Sequence, residues 1–145
     1  LDSYLIALGR TGDRRATPLV LGKLALLSTG TGHRASHYRA VAEALEHLGD
    51  PAAAKPLAEL LRREGLSQDV VTPELTAAGT TRGRNGTTNL ILARVLYRCG
   101  DWEGVGRQVL EAYANDVRGL YARHARAVLA QEPGRPTRPD GWLGL

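Results

Sequence analysis

The amino-acid sequence predicts an all-α fold, a short right-handed α-solenoid of about three helix pairs with a closing C-terminal helix. The first observation is compositional: 43% of the 145 residues are hydrophobic and 23% are charged, which is typical of a globular chain. The apolar residues are mainly Leu, Ala and Val with no Phe, and these residues suit closely packed helices. The second observation is a Gly-Asp pair that recurs at 12–13, 49–50 and 100–101.

Each Gly-Asp pair lies between two apolar segments and has the chemistry of a tight turn between helices. Glycine readily adopts the left-handed conformation that ends a helix. Aspartate accepts hydrogen bonds from the free N–H groups of the next helix, and its charge suits the positive end of that helix. We therefore expect Asp13, Asp50 and Asp101 to be helix N-caps.

The segments after the first two pairs have the apolar spacing of the second helix of a pair. Pro51 is at the first helical position, where proline is well tolerated. Pro18 and Pro56 come later, and because an interior proline bends a helix, we predict a bend in both helices. The expected buried positions are Ala16, Leu19, Val20, Leu24 and Leu27 in one helix and Ala54, Leu57, Ala58 and Leu61 in the other.

The first helices of the pairs are expected to start at hydroxyl residues, because Ser and Thr cap helices well. Ser3 and Ser36 are the expected N-caps, and Thr87 or Thr88 is expected to start the third of these helices. A last amphipathic helix is expected over 117–130. Its buried stripe would consist of Val117, Leu120, Tyr121, His124 and Val128.

The spacing of the Gly-Asp pairs predicts how the chain is organised. The first spacing is 37 residues, close to the ~40 of a HEAT repeat, and the second is 51. The excess falls in residues 66–86, which lack a helical period and are expected to form a mobile insertion loop. Residues 1–131 are thus predicted to be a HEAT-like repeat domain, and the Pro- and Gly-rich residues 132–145 a tail. Because the chain has no Met, we expect it to be a fragment of a longer protein.

The residues predict neither an enzyme nor a metal or cofactor site in this chain. Cys99 is the single cysteine, so no internal disulfide is possible and a thiolate zinc site is disfavoured. His33 and His37 are four residues apart but have no third ligand nearby. Residues 79–86 are Gly-rich and basic but lack the lysine of a P-loop. No apolar stretch approaches membrane-spanning length, and we expect a cytoplasmic protein.

The net charge of +4 arises entirely from residues 79–145, and Arg outnumbers Lys 17 to 2 in the whole chain. A codon bias toward Arg explains this without any partner. The alternative is an anionic or protein partner, because guanidinium groups form bidentate contacts with carboxylate and phosphate. The candidate partner-binding residues are Arg82, Arg84, Arg94, Arg98, Arg107, Arg118 and Arg123.

Two family resemblances are visible in particular segments. Residues 49–57, Gly-Asp-Pro-Ala-Ala-Ala-Lys-Pro-Leu, resemble the HEAT-like repeat first named for phycobilisome lyases. Residues 36–40, 96–101 and 113–125 are similar to the C-terminal helical region of a group of bacterial FAD-dependent oxidoreductases. The second resemblance implies a non-catalytic module attached to a flavoenzyme. Since the flavin fingerprint G-x-G-x-x-G does not occur here, FAD is expected only in a parent protein.

Three classes of function follow. The favoured one is an interaction or structural module that binds a protein segment or the flavin domain of its parent chain. The second is nucleic-acid binding, which the basic C-terminal half supports but the modest net charge disfavours. The third is chromophore handling of the kind that phycobilisome lyases perform.

Overall fold

The structure is a computed structural model that describes residues 2–29, 35–64, 69–74 and 86–134. Every regular element in these ranges is helical, which confirms the prediction of an all-α solenoid. The α-helices are α1 (Asp2–Arg10), α2 (Thr17–Thr29), α3 (Ala35–Leu48), α4 (Ala54–Glu64), α5 (Gly86–Arg98), α6 (Val105–Tyr113) and α7 (Gly119–Leu129).

The helices are arranged in two layers. In the first layer α1, α3, α5 and α7 contact one another in chain order. In the second layer α2 packs on α3, α4 packs on α5, and α6 packs on both α5 and α7. Each second-layer helix therefore supports the first helix of the next pair. Such contacts between neighbouring pairs are the arrangement expected of a solenoid.

The first two Gly-Asp pairs form turns of the same geometry. Gly12 and Gly49 have positive φ values of 69° and 56°. The carboxylates of Asp13 and Asp50 each accept a backbone hydrogen bond two residues on, both at 3.0 Å. Short 3-10 turns then precede the α-helices, at Arg14–Ala16 and Pro51–Ala53.

Pro18 and Pro56 lie in the first turn of α2 and α4, so their predicted interior position is wrong. Proline has no N–H group, and at the start of a helix no intrahelical bond is lost. A short 3-10 turn precedes each of these two helices.

The third turn differs from the first two, and Asp101 is not at the N-cap position of the following helix. Gly104, with a φ of 71°, directly precedes α6. Three residues separate Asp101 from that helix, so its carboxylate reaches across them. It accepts hydrogen bonds from the N–H groups of Gly106 at 2.7 Å and Arg107 at 3.1 Å. The Asp101 side chain therefore accepts hydrogen bonds from the first turn of α6, as an N-cap would, although Gly104 is at the N-cap position.

Helix α3 packs closely on its neighbours in the first layer. Gly9 of α1 packs so closely on it that a Cβ there would be 2.5 Å from Cα of Ala44. On another side the Cys99 thiol donates to the Leu45 carbonyl, with Sγ 3.7 Å from the oxygen. The largest fully buried side chains are Tyr97, Tyr113, Leu45, Leu57, Leu60, Leu61, Leu92, Leu96, Leu110, Val20, Val41 and Val95.

Several helix starts differ from the sequence predictions. α1 begins at Asp2 and α3 at Ala35, so Ser3 and Ser36 are inside these helices and are not their N-caps. α5 begins at Gly86, one residue before the earlier of the two predicted starts. A serine early in a helix and a serine just before it look alike in a sequence, because the apolar pattern fixes a helix end only to within a few residues.

Three predicted core residues are exposed. Leu19, Val117 and Leu120 point to solvent. The buried residues of α7 are instead Ala122, Ala125 and Val128. The prediction weighted large side chains over alanines, whereas the close packing of α7 on its neighbours uses the alanines. The side chain of Leu27 lies outside the described residues.

Part of the predicted insertion loop 66–86 packs against the solenoid. Val70 is buried, and the neighbouring backbone makes hydrogen bonds to the chain near residue 116. Residues 65–68 and 75–85 lie outside the described residues.

At the C-terminal end, the Tyr97 hydroxyl donates to the Gln131 carbonyl at 2.7 Å, so the chain after α7 returns to α5. Residues 135–145 of the predicted tail are also outside the described part.

Candidate functional site

A buried carboxylate joins residues 69–71 to the turn before α7. The Asp116 side chain is fully buried and accepts hydrogen bonds from the N–H groups of Val71 at 2.9 Å and Arg118 at 2.8 Å. It also forms an ion pair with the Arg118 guanidinium at 2.7 Å. Burial alone would raise the pKa of Asp116, but the hydrogen bonds from Arg118 and Val71 outweigh it and lower that pKa.

The Arg118 guanidinium continues the same network. It donates to the carbonyl of Asp69 at 2.6 Å and lies over the Tyr121 ring, with Cζ 4.2 Å from the ring centroid. The Tyr121 hydroxyl hydrogen-bonds to Thr87 at the start of α5. Asn89 Nδ2 donates to the Asp69 carboxylate at 2.9 Å. These contacts hold the chain before and after residues 75–85 against α7. Arg118 therefore has a structural role in the fold.

Two further candidate arginines, Arg94 and Arg98 on α5, bind one carboxylate of α3. The Glu46 side chain is 7% exposed and lies 2.8 Å from Arg94 and 3.0 Å from Arg98. Arg94 also lies 3.3 Å from Nε2 of His124 on α7. Burial, followed by the charges of the two arginines, lowers the pKa of His124, so its ring is neutral at pH 7 and accepts this hydrogen bond. The cluster connects three first-layer helices.

The other candidate arginines are exposed or outside the described residues. Arg107 lies 3.9 Å from Glu111 on the same helix face, and Arg123 donates to the Gly119 carbonyl at 3.3 Å. Both are exposed. Arg82 and Arg84 lie outside the described residues. Among the candidate arginines that the structure describes, Arg94, Arg98 and Arg118 bind carboxylates within the fold, and Arg107 and Arg123 are exposed.

The ionisable groups of the core have the character of structural residues. Burial raises the pKa of the Cys99 thiol to about 12, so the reactive thiolate is not formed at neutral pH. Burial likewise raises the pKa of the Tyr113 hydroxyl. His37 binds Asp2, with Nδ1 2.8 Å from the carboxylate, and His33 is not among the described residues. Within the described ranges no group of three or more His, Cys, Asp or Glu side chains is placed to hold a metal ion.

An exposed apolar stripe on α2 was missed by the sequence analysis. We define the α2 stripe as Pro18, Leu19, Gly22, Ala25 and Leu26, all of which are exposed. Leu19 is 69% exposed and Leu26 is 64% exposed. The opposite face of the helix buries Ala16, Val20 and Leu24 from the same segment of chain. The signal was present in the sequence, since a helix that is apolar on all sides normally has a second contact surface.

The second helix pair shows how unusual this stripe is. A shift of 37 residues aligns Asp13 with Asp50, and it places Glu59, Arg62 and Arg63 at the positions of Gly22, Ala25 and Leu26. These three residues of α4 are also exposed. The exposed face of α6 is likewise polar, with Arg107, Gln108 and Glu111. The same surface of the second layer is therefore charged on α4 and α6 and apolar on α2.

The two layers of stacked helix pairs define a helical-repeat protein. Comparison with known families specifies the repeat: the family model of the PBS lyase HEAT-like repeat matches residues 38–63. This match covers most of α3, the turn at Gly49 and Asp50, and most of α4, which is one helix pair. The chain thus contains a HEAT-like repeat. No curated protein and no solved structure matches the chain.

Across the part of the chain that the structure describes, none of the helices combines the length and apolar character needed to cross a bilayer.

Proposed function

We propose that the chain is a non-catalytic interaction module that binds a protein segment through the α2 stripe. The observation that carries this proposal is the exposure of Leu19 and Leu26 at a surface where α4 and α6 present charged residues. Apolar side chains grouped on an exposed helix face are costly in water and are typical of protein interfaces. HEAT-like repeats generally serve protein interactions, which agrees with this function.

Site-specific photo-cross-linking tests the proposal. A photoreactive residue at position 18, beside Leu19, is compared with one at the exposed position 127 of α7. With the protein expressed in its source cells, position 18 should give a discrete adduct with another protein or with a distant part of its own chain. Position 127 should give none. Equal labelling at both positions, or none at 18, contradicts the proposal.

We propose further that this module is the C-terminal part of a larger FAD-dependent oxidoreductase, with the flavin domain as its partner. The support is the similarity of residues 36–40, 96–101 and 113–125 to the helical region of those enzymes. The gene that encodes the chain provides the test, because the proposal requires an upstream G-x-G-x-x-G motif and a purified full-length product with flavin absorbance. A gene without the motif removes this part of the proposal and leaves the interaction module unaffected.

Nucleic acid is the alternative partner, and the basic residues 79–145 favour it. Against it, Arg94, Arg98 and Arg118 bind carboxylates within the fold. We expect only weak binding to a labelled DNA duplex, with little difference between about 50 and 200 mM salt. Fluorescence anisotropy that shows micromolar binding at the lower salt and a steep loss at the higher would favour nucleic-acid binding instead.

Chromophore handling is the remaining alternative, and the name of the matched repeat is what favours it. Addition of a bilin to the protein should leave the absorbance spectrum of the bilin unchanged. A red-shifted or sharpened band would support this function.

A further inference from the structure

We infer that the α2 stripe docks an amphipathic helix of a partner protein whose apolar face is flanked by acidic residues. This inference rests on the proposed interaction function and specifies the partner's chemistry. Three observations carry it: the spacing of the leucines, the glycine between them and the charge of the surrounding surface.

The spacing of the two leucines suits a helix. Leu19 and Leu26 are seven residues apart, which is about two turns or roughly 10.5 Å along α2. Residues seven apart lie on nearly the same side of a helix, and helix-in-groove recognition uses apolar anchors with this repeat. A partner helix that lies along α2 would therefore contact both leucines with successive apolar turns of its own.

Gly22 lies between the leucines and has no role inside the described fold. A glycine in a helix interior is destabilising compared with alanine, so it needs a compensating reason. Apart from the helix's own backbone, no described atom lies within 4 Å of the place where a Cβ on Gly22 would be. Gly9 differs, because a Cβ there would be 2.5 Å from Ala44. Gly22 therefore leaves a bare backbone at this point, which would let a partner helix approach closely.

The charges in and beside α2 favour an acidic partner. Asp13 is the only acidic residue between positions 3 and 42, and it is paired with Arg15 at 2.6 Å. Lys23 lies within α2, and Arg14 lies just before it, with its guanidinium donating to the Gly49 carbonyl at 3.2 Å. A second copy of the chain would bring these like charges together, which disfavours self-association through the stripe. Acidic residues beside the partner's apolar face would instead complement them.

Two designed peptides test the charge requirement. Both are helical, about 18 residues long, with leucines at helical spacing on one face, and they differ only in carrying Glu or Lys beside that face. By fluorescence anisotropy at low salt, the Glu peptide should bind the protein at least about tenfold more tightly than the Lys peptide. This difference should shrink as salt rises, because exposed charges are screened.

Three variants test the location. Leu19→Asp should weaken binding of the Glu peptide at least about tenfold, a loss of about 1.4 kcal/mol. Leu120→Asp is the matched control, because Leu120 on α7 is 70% exposed, and its effect should remain within about twofold. Gly22→Leu should also abolish binding while raising Tm, because leucine has the higher helix propensity. Loss of affinity with a gain of stability cannot arise from unfolding.

Several outcomes would overturn the inference. Equal binding of the two peptides, equal losses for the two Asp variants, or full binding by Gly22→Leu would each do so. Sedimentation that shows a dimer dissolved by Leu19→Asp would assign the stripe to a second copy of the chain. If cross-links at position 18 persist but the Glu peptide does not bind, the acidic helix is wrong and the interaction function stands. If neither is observed, both fail.

Discussion

At the residue scale, the Asp116 carboxylate connects two separate segments of the chain, although it lies in a short turn. It binds the backbone of Val71 and both the backbone and the guanidinium of Arg118. Burial of a charged group is stable only when its bonding capacity is filled, and here the donors are supplied by two separate segments. One side chain thus fixes residues 69–71 onto the end of the solenoid.

Asp116→Asn should lower the free energy of unfolding at pH 7 by about 1.5–3 kcal/mol, the usual contribution of a hydrogen bond to a charged group. Because the pKa of Asp116 is lowered in the folded protein, its stabilisation is present above about pH 4, near the pKa of an unfolded Asp. It is lost as the pH falls through the lower folded pKa. The difference between wild type and variant should therefore narrow in acid.

Urea unfolding at pH 7 and pH 3 measures this difference, and hydrogen exchange at the Val71 amide should accelerate in the variant. Asn115→Ala is the control, because the neighbouring Asn115 is exposed and its side chain donates to the Glu111 carbonyl at 3.2 Å. An equal loss of stability in both variants would show that the carboxylate has no special role.

At the element scale, the contact between α1 and α3 depends on one missing side chain. Gly9→Ala would place a methyl group 2.5 Å from Cα of Ala44, and backbone atoms cannot move aside as the end of a side chain does. We expect a loss of about 1–3 kcal/mol, the usual cost of overpacking. Gly22→Ala on α2 is the control and should stabilise the protein by up to about 1 kcal/mol. Thermal unfolding of the two variants distinguishes them, and shifts of the same sign would contradict this account.

The helices and turns were predictable from the sequence where the signal is local. Gly12-Asp13 and Gly49-Asp50 carry the chemistry of their turns in two adjacent residues, and the structure has that chemistry. The orientation of a helix was less predictable, because α7 buries Ala122 and Ala125 while Leu120 is exposed. Which face is buried depends on how closely the neighbouring helices approach, and that information is not in the helix's own pattern.

At the scale of the whole molecule, Glu46 connects the middle of the first layer to its C-terminal end. Glu46→Gln would leave the half-buried guanidiniums of Arg94 and Arg98 without their carboxylate. We expect a loss that approaches the roughly 3–5 kcal/mol of a broken buried ion pair, reduced by the partial exposure of both arginines. Glu111→Gln removes an exposed pair with Arg107 and should cost at most about 1 kcal/mol.

Urea denaturation of the two Glu variants measures this contrast. Similar small losses would mean that the Glu46 cluster contributes no more than a surface ion pair.

The Glu46 cluster also explains why the candidate site was only partly predictable from the sequence. The sequence marks Arg94, Arg98 and Arg118 as candidate partner-binding residues, but their carboxylate partners on α3 and before α7 become visible only when the helices are stacked. The α2 stripe was missed for a different reason, because Leu19 was assigned to the core and the other four stripe residues were not considered as a surface.

The hydrogen bond between Asn89 and Asp69 has a practical consequence for protein engineering. This hydrogen bond joins two side chains that are 20 residues apart in the sequence. The entropy cost of closing a flexible loop rises by only about 0.6 kcal/mol for each doubling of its length. A reporter peptide or a small domain inserted between residues 75 and 85 should therefore leave the rest of the molecule folded, which makes this position a natural graft point.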